Sequence, residues 1–408
     1  MTEIRTTCCI AGGGPAGIML GLLLARAGVD VTVLEKHADF LRDFRGDTVH
    51  PSTLNVIYEL GLLPAFLKRP HDELQRLSGQ VGDETVNIAD FRHIPGVAQF
   101  IAIMPQWDFL DFLAEAARRY PEFHLCMRTE AVDLIREGGR VTGVRATMTE
   151  GDVDIRADLV VAADGRTSTL RQRAGLEVET LGAAMDVLWL RLPRRPRDGA
   201  VALGRLLAGR MMVMIPRGDY FQCAYLVKKG GADAVKAGGL EAFKRDIEAI
   251  TPMVAGRTKE LRSWDDVKLL TVVIDRLRTW CEPGLLCIGD CAHAMSPVGG
   301  VGINLAIQDA VAAAGLLWKP LRDGRLSLSD LQHVQRRREW PTKVTQFGQI
   351  LVQNAVITPT LNGATPRAGW PVRLLSRTPW LQGLPARLVG LGVRPEHVHS
   401  PDAHIRAA

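Results

Sequence analysis

The stretch TTCCIAGGGPAGIMLGLLLARAGVDVTVLEK, residues 6–36, constrains this chain more than any other. A short apolar run ends in glycines, and an apolar helix follows with Pro15 in its first turn and Gly28 closing it. VTVLEK then reads as a second, buried strand. The result is a β-turn-α-β unit whose turn carries Gly12-x-Gly14-x-x-Gly17 and whose second strand ends at Glu35. Gly12 permits the tight turn, Gly14 lets backbone reach a pyrophosphate, and Gly17 lets the helix pack against the strand. The helix start at Pro15 and Ala16 offers free N–H groups and the positive end of a dipole to phosphates. Glu35, with Lys36 beside it, can accept hydrogen bonds from a ribose hydroxyl, and its charge repels a 2′-phosphate. The unit predicts a bound dinucleotide, FAD or NAD but not NADP.

A second glycine cluster lies almost a whole chain away, in LCIGDCAHAMSPVGGVGINLA at 286–306. Gly289-Asp290 closes an apolar strand, and a loop through Pro297, Gly299, Gly300 and Gly302 leads into a helix near Ile303-Asn304. No partner strand and no ribose-binding acid follow, so a second dinucleotide fold is a poor reading. A carboxylate at a strand end suits hydroxyl groups, and a helix N-terminus suits an electron-rich edge. FAD offers both, in its ribityl chain and in a flavin N1–C2=O edge that becomes anionic on reduction. The two clusters are therefore expected to serve the two ends of one FAD.

Between them the pattern alternates in style. Helices are predicted at 51–68, 106–120, 240–250, 302–318 and 328–356, a β-meander at 131–162, and longer strands at 183–192, 210–228 and 267–275. This interleaving predicts one discontinuous FAD-binding domain (1–75, 100–180 and 275–320) with a substrate domain inserted in it (76–99 and 181–274). Residues 321–408 are read as C-terminal helices and an irregular, proline-rich tail.

Hydrophobic content of 47% and charged content of 23% describe an ordinary globular protein. No uninterrupted apolar run approaches the ~18–20 residues of a membrane span, so no integral membrane segment is expected. The N-terminus has no signal-peptide layout, and seven scattered cysteines suggest reduced thiols and a cytoplasmic home. Cys287 and Cys291 have no second close pair, so no metal is expected. From residue 320 onward there are 12 Lys/Arg and 5 Asp/Glu, leaving 38 and 40 for the rest. That +7 tail can meet acidic partners or a membrane face peripherally, or be a solvated helical face. No basic strip alternates with aromatics, which argues against nucleic acid. The oligomeric state stays open, a homo-oligomer included.

Three ordered motifs resemble those of the FAD-dependent aromatic hydroxylases, the p-hydroxybenzoate hydroxylase-like class A flavin monooxygenases. They are GGGPAG with Glu35, VVAADGRTSTLR at 160–171, and IGDCAHAMSPVGGVGINLAIQDA at 288–310. The resemblance implies an α/β fold with a Rossmann-like FAD-binding domain of the GR2/PHBH type, an inserted β-sheet substrate domain and a C-terminal helical region. It implies that Asp290 holds the ribityl chain, and that the loop at Pro297 and Gly300 and the backbone of Gly302, Ile303 and Asn304 face the flavin N1–O2 edge. Asp164 would lie near the pyrophosphate, Arg45 would contact phosphate or ribityl, Gln106 the ribityl chain, and Val132 would offer backbone to the adenine. His293 and His50 are read as structural.

The same resemblance implies the chemistry: NAD(P)H docks transiently and reduces FAD, O₂ adds to give a flavin C4a-hydroperoxide, and an aromatic ring is hydroxylated. The protein's tasks are then to exclude water and position the ring. On the long strands, one face would include Arg210, Met212, Met214 and Gln222 or Tyr225, but parity alone does not say which face meets the flavin. If the methionines line the pocket, they favour a bulky phenol-, quinolone- or polyketide-like substrate. No residue stands out as a base for a phenol. A flavin-dependent halogenase is disfavoured because no W-x-W-x-I-P signature occurs among the eight tryptophans. A prenyl-lipid reductase-like dehydrogenase, or a flavoprotein using FAD only structurally, would share the FAD site.

Overall fold

A computed structural model describes residues 2–41, 48–198 and 203–404. Among the described residues its first sheet has eight strands, with a central path Cys281–Glu282, Leu285–Cys287, Gly151–Ala162, Thr2–Ala11, Val31–Glu35 and Phe123–Met127. Every pairing on this path is parallel except the outermost one, at Cys281–Glu282. Parallel strands need both faces covered, and Val31–Glu35 is buried at all positions. One face is covered by α1 (Pro15–Arg26), α2 (Pro51–Glu59) and α3 (Gln106–Ala117), whose Leu20, Ile57 and Phe109 share a core with Val33 and Leu159. Gly21 allows the closeness: a Cβ there would stand 2.8 Å from both Phe123 and Val33. The meander of Glu130–Glu137 and Arg140–Met148 covers the other face through Val141 and Val144.

Register brings the carboxyl ends of these strands level. Ala11 lies opposite Leu34 and Ala162, Ala162 opposite Cys287, and Glu35 opposite Met127. The turns after these strands all open on one crevice, the position where open α/β sheets bind ligands.

The second sheet runs Lys268–Leu270, Met185–Pro193, Tyr220–Lys228, Arg210–Arg217, Leu203–Leu207, Arg76–Val81 and Glu84–Asp90. The expected strand over 267–275 is divided in two. Lys268–Leu270 pairs in this sheet, whereas Asp275–Leu277 pairs with Val178–Thr180. The break comes where the Val272 N–H donates to Asp186 Oδ1 (2.9 Å), an acceptor outside either ladder.

Each face of the second sheet has its own cover. Leu188, Leu190, Leu192, Met212, Met214, Phe221, Cys223 and Tyr225 pack on Phe243, Ile247 and Ile250 of α4 (Leu240–Ile250). The opposite face, with Met185, Val187, Met211, Val213, Ala224 and Leu226, meets Val298, Ile350, Ile357 and Leu361. Val298 and Ile350 come from the second glycine loop and from a later helix.

The C-terminal third adds α5 (Gly302–Arg322), α6 (Leu328–Val352), α7 (Trp370–Arg377) and α8 (Gly383–Gly390). The segment Val298–Arg322 is long and apolar enough to cross a membrane, but 78% of its apolar 18-residue window is buried, as a core helix would be. It packs between α1 and α6.

Candidate functional site

The first glycine loop is fixed by the protein at two points and open at a third. Gly12 has φ +111°, its N–H donates to the Leu34 carbonyl (2.8 Å), and a Cβ there would stand 2.3 Å from the Ala163 carbonyl oxygen. A Cβ on Gly17 would stand 1.9 Å from the Gly12 oxygen. Gly14 differs, because a Cβ there would meet nothing within 4 Å. Its φ of −77° and ψ of −175° suit any residue. Nothing among the described residues demands glycine at 14, so the open space in front of it is what glycine preserves. Pro15 opens α1, as expected from its missing N–H.

Glu35 is buried and held by backbone. Its Oε2 accepts from Gly13 N (3.1 Å) and its Oε1 from His37 N (3.0 Å). Lys36 instead lies at the surface, 3.6 Å from Glu130. Val132 is skipped in the register between Ala131 and Asp133, and its carbonyl accepts from Arg173 Nε (3.3 Å). Asp164 Oδ2 caps the Leu170 N–H (3.2 Å), while its buried Oδ1 has no partner among the described residues. Gln106 is half-buried at the start of α3. Arg45 lies outside the described residues.

The second cluster meets the first directly. A Cβ on Gly289 would stand 3.2 Å from the Ala16 side chain and 3.4 Å from that of Ala306. Asp290 follows, paired with Arg166 Nη2 at 3.0 Å. The loop into α5 is pinned by side chains that sequence reasoning did not single out. Gln349 donates from Nε2 to the carbonyls of Ser296 and Val298 (both 2.9 Å) and accepts from Ser296 N (3.2 Å). Thr48 Oγ1 donates to the Gly300 carbonyl (2.9 Å). Gly300 has φ +63°, and a Cβ there would stand 2.6 Å from that hydroxyl. Pro297 lies within this pinned loop, just before Val298–Gly300.

Beneath the loop lies a buried ionic chain. Asp309 Oδ2 accepts from Gly289 N (3.0 Å) and meets His293 Nε2 (2.6 Å), and its Oδ1 accepts from Arg338 Nε (2.9 Å). Arg338 also reaches Glu396 (3.3 Å), tying the tail to the loop. Burial pushes the Asp309 carboxyl up, but His293 and Arg338 outweigh it and hold the group below the usual carboxylate range. His293 is thus engaged inward by Asp309, in keeping with a structural role.

At the start of α5, Asn304 Oδ1 accepts from Thr53 Oγ1 (2.8 Å) and His50 N (3.2 Å). The Asn304 Nδ2 is buried with no partner among the described residues. Ile303 and Gly302 stand in the first turn of α5, and a Cβ on Gly302 would meet open space. His50 Nδ1 lies 2.9 Å from the Val389 carbonyl of α8. A carbonyl can only accept, so Nδ1 carries the proton and the buried Nε2 is a bare acceptor. Burial lowers the imidazole to about 4, against a smaller upward pull from Val389. His50 is neutral at any ordinary pH.

The residues expected on one strand face divide between the two faces of the second sheet. Arg210, Met212, Met214 and Tyr225 lie on the α4 side, where Arg210 pairs with Asp246 (2.6 Å) and the Tyr225 hydroxyl donates to the same carboxylate. Burial, aided by Asp246, pushes the Tyr225 hydroxyl well up. Met212, Met214 and Tyr225 are buried in the core on that side, whereas the Arg210 side chain is 45% exposed. Gln222 has the opposite parity and pairs with Ile215 and Arg191, on the side of Val298 and Val389. Its buried Nε2 has no partner among the described residues. Arg217 shares that face; burial lowers it to about 10, against a smaller upward pull from Tyr220. Alternation along the strand separated these two faces, but only the packing of α4 and the tail says which is inward.

Residues 5–348 match the family described as FAD binding domain. The chain belongs to that family and, with it, to the FAD-dependent aromatic hydroxylases: it is a flavoprotein monooxygenase that uses FAD. It is 34% identical over 377 residues to 6-methylpretetramide 4-monooxygenase of Streptomyces rimosus, covering 92% of this chain and 90% of that protein. Two solved structures share the fold. PqsL, a probable FAD-dependent monooxygenase from Pseudomonas aeruginosa, superposes with a TM-score of 0.75 at 21% identity, over 88% of this chain and 98% of that one. OxyS anhydrotetracycline hydroxylase from Streptomyces rimosus superposes with a TM-score of 0.74 at 22% identity, over 96% and 77%.

Proposed function

We propose that this monooxygenase hydroxylates a polycyclic, polyketide-type aromatic, taking electrons from NAD(P)H and oxygen from O₂. The observation that carries the site assignment is the meeting of the two glycine clusters at Ala16 and Gly289. The residues present fit FAD: an open cradle at Gly14, an orphaned carboxylate oxygen on Asp164, and a free helix start at Gly302.

On this reading Gly12, Gly14, Pro15, Ala16 and Gly17 hold the pyrophosphate, Glu35 the adenosine ribose, and Val132 borders the adenine. Asp290 and Gln106 hold the ribityl chain, while Gly302, Ile303 and Asn304 aim N–H groups at the flavin's N1–O2 edge. When bound, FAD supplies the activation of oxygen. The protein supplies shape. Gln349 and Thr48 keep the loop from Pro297 to Gly300 from moving, so that the ring site stays closed to water. The wall facing that loop is Met211, Val213, Ile215, Ala224 and Leu226, apolar and broad, with the Gln222 amide as a donor for one oxygen of the substrate. This lining supports a large, weakly charged ring system over a small benzoate.

Two further readings concern the setting. Seven free thiols support a cytoplasmic location. The cationic tail supports a peripheral contact with an anionic surface.

The function is tested by substrate-stimulated NAD(P)H oxidation with a panel of tetracyclic phenols, quinolones and simple benzoates under ¹⁸O₂. One ¹⁸O atom per turnover in a polycyclic product is expected. Turnover that persists without oxygen would overturn the proposal in favour of a reductase.

A further inference from the structure

The outer surface of the C-terminal segment is unusual for a globular chain. Among the described residues, eleven of the eighteen large apolar side chains that stand exposed fall between Trp340 and Leu388. No Asp or Glu occurs from residue 340 to 395, while six Lys/Arg do. Both properties concentrate in α7, the turn Pro379–Gln382, and α8. Helix α7 has no buried side chain, although Trp370, Val372 and Leu374 stand on it. Trp370 is 76% exposed, Trp380 72%, Leu384 65% and Leu388 55%. Arg373 is paired with Glu84 (3.0 Å), and Arg377 and Arg387 stand exposed beside the apolar residues.

We propose that this surface docks on an anionic phospholipid membrane, with Trp370, Trp380, Leu384 and Leu388 entering the headgroup–acyl boundary and Arg377 and Arg387 meeting lipid phosphates. Charge decides between the occupants. A second copy of this chain on a twofold axis would bring the arginines of both copies into one interface, with no acid in residues 340–395 to offset them. An anionic bilayer removes that repulsion and accepts the aromatic and leucine side chains without requiring a matching groove. Short amphipathic helices that carry Trp, Leu and Arg and lie flat on a protein are the form such contacts take.

The position adds a consequence. The inner side of α8 supplies Ala386 to the packing against Ile215, and the Val389 carbonyl to His50. The docked helix is therefore also a wall of the substrate cleft, which opens a lipid-side route for a poorly water-soluble ring system. The docking proposal builds on the tail and not on the oxygenase reading, so activity and membrane binding can fail separately.

The test is co-sedimentation of the flavin-loaded full chain with vesicles of phosphatidylcholine alone and of phosphatidylcholine with phosphatidylglycerol. Binding is expected only to the anionic vesicles, weakening as salt rises. Trp370→Ala/Trp380→Ala and Arg377→Glu/Arg387→Glu should each lower partitioning by about tenfold or more. The folded state of both variants is checked by circular dichroism and thermal unfolding, which should be unchanged. Two outcomes overturn the proposal: no preference for anionic vesicles, or a dimer in sedimentation equilibrium that the tryptophan pair of substitutions dissociates.

Discussion

Replacing Gly14 by alanine separates what the first loop does for the protein from what it does for the cofactor. The added methyl meets no atom of the described residues within 4 Å, and the backbone at φ −77° and ψ −175° is relaxed for alanine. The apo protein should therefore be unchanged or gain about 0.4–1 kcal/mol, because alanine has fewer unfolded conformations to lose than glycine. The methyl does occupy the space through which backbone would approach a pyrophosphate. Losing one charge-assisted N–H contact costs about 1.5–3 kcal/mol, which is roughly 10- to 150-fold in FAD affinity. Gly17→Ala supplies the contrast. Its Cβ would stand 1.9 Å from the Gly12 oxygen, so backbone must shift and the apo protein should lose about 1–3 kcal/mol. Urea unfolding of the apo proteins and quenching of flavin fluorescence on titration read the two quantities separately. FAD affinity of Gly14→Ala equal to that of the parent chain would refute the reasoning, as would apo destabilisation by more than about 1 kcal/mol.

The two faces of the second sheet should respond differently. Met214→Ala, on the α4 side, should cost about 2–5 kcal/mol of stability and leave KM for the aromatic unchanged, whereas Val213→Phe should raise KM or alter the site of hydroxylation with little change in Tm. His50 gives a pH signature. Its folded pKa of about 4 lies below the ordinary 6.5, so the unfolded chain binds more protons between those values and stability falls as pH drops. The loss should reach about 2.5 kcal/mol by pH 4.5, measured as the difference between parent and His50→Gln unfolding curves; equal pH slopes would contradict it. Gln349→Leu should leave FAD bound but loosen the loop at Ser296 and Val298, so that NAD(P)H oxidation uncouples from hydroxylation and hydrogen peroxide is released.

Much of this architecture could be read from residues whose role is steric or local. Gly17 is required by its contact with the Gly12 carbonyl and Gly12 by its φ of +111°, both local, so their spacing announces the turn. Gly289 and Asp290 were legible for the same reason, as the end of an apolar strand. What was not legible depends on distant partners. Strand alternation separates Met212 and Met214 from Val213 and Ile215, but the choice between the faces is made by α4 and by the last fifty residues, which no local pattern connects to the sheet. Gln349 pins a loop some fifty positions earlier, and the His50 proton is placed by a carbonyl at Val389. The only hint of Gln349 was an amide at a buried helix position, a weak signal. Lys36 shares a strand end with Glu35 but turns to Glu130 at the surface, a choice that sequence spacing leaves open.

The central claim is that the two glycine clusters address opposite ends of one FAD. ADP and FAD, titrated separately into apo protein, test it, since ADP probes only the end assigned to the first cluster. Gly14→Ala should weaken both ligands, and Asp290→Ala should weaken FAD by about tenfold or more while leaving ADP affinity at the parent value. Equal weakening of ADP and FAD by Asp290→Ala, or no effect on FAD at all, would contradict the account.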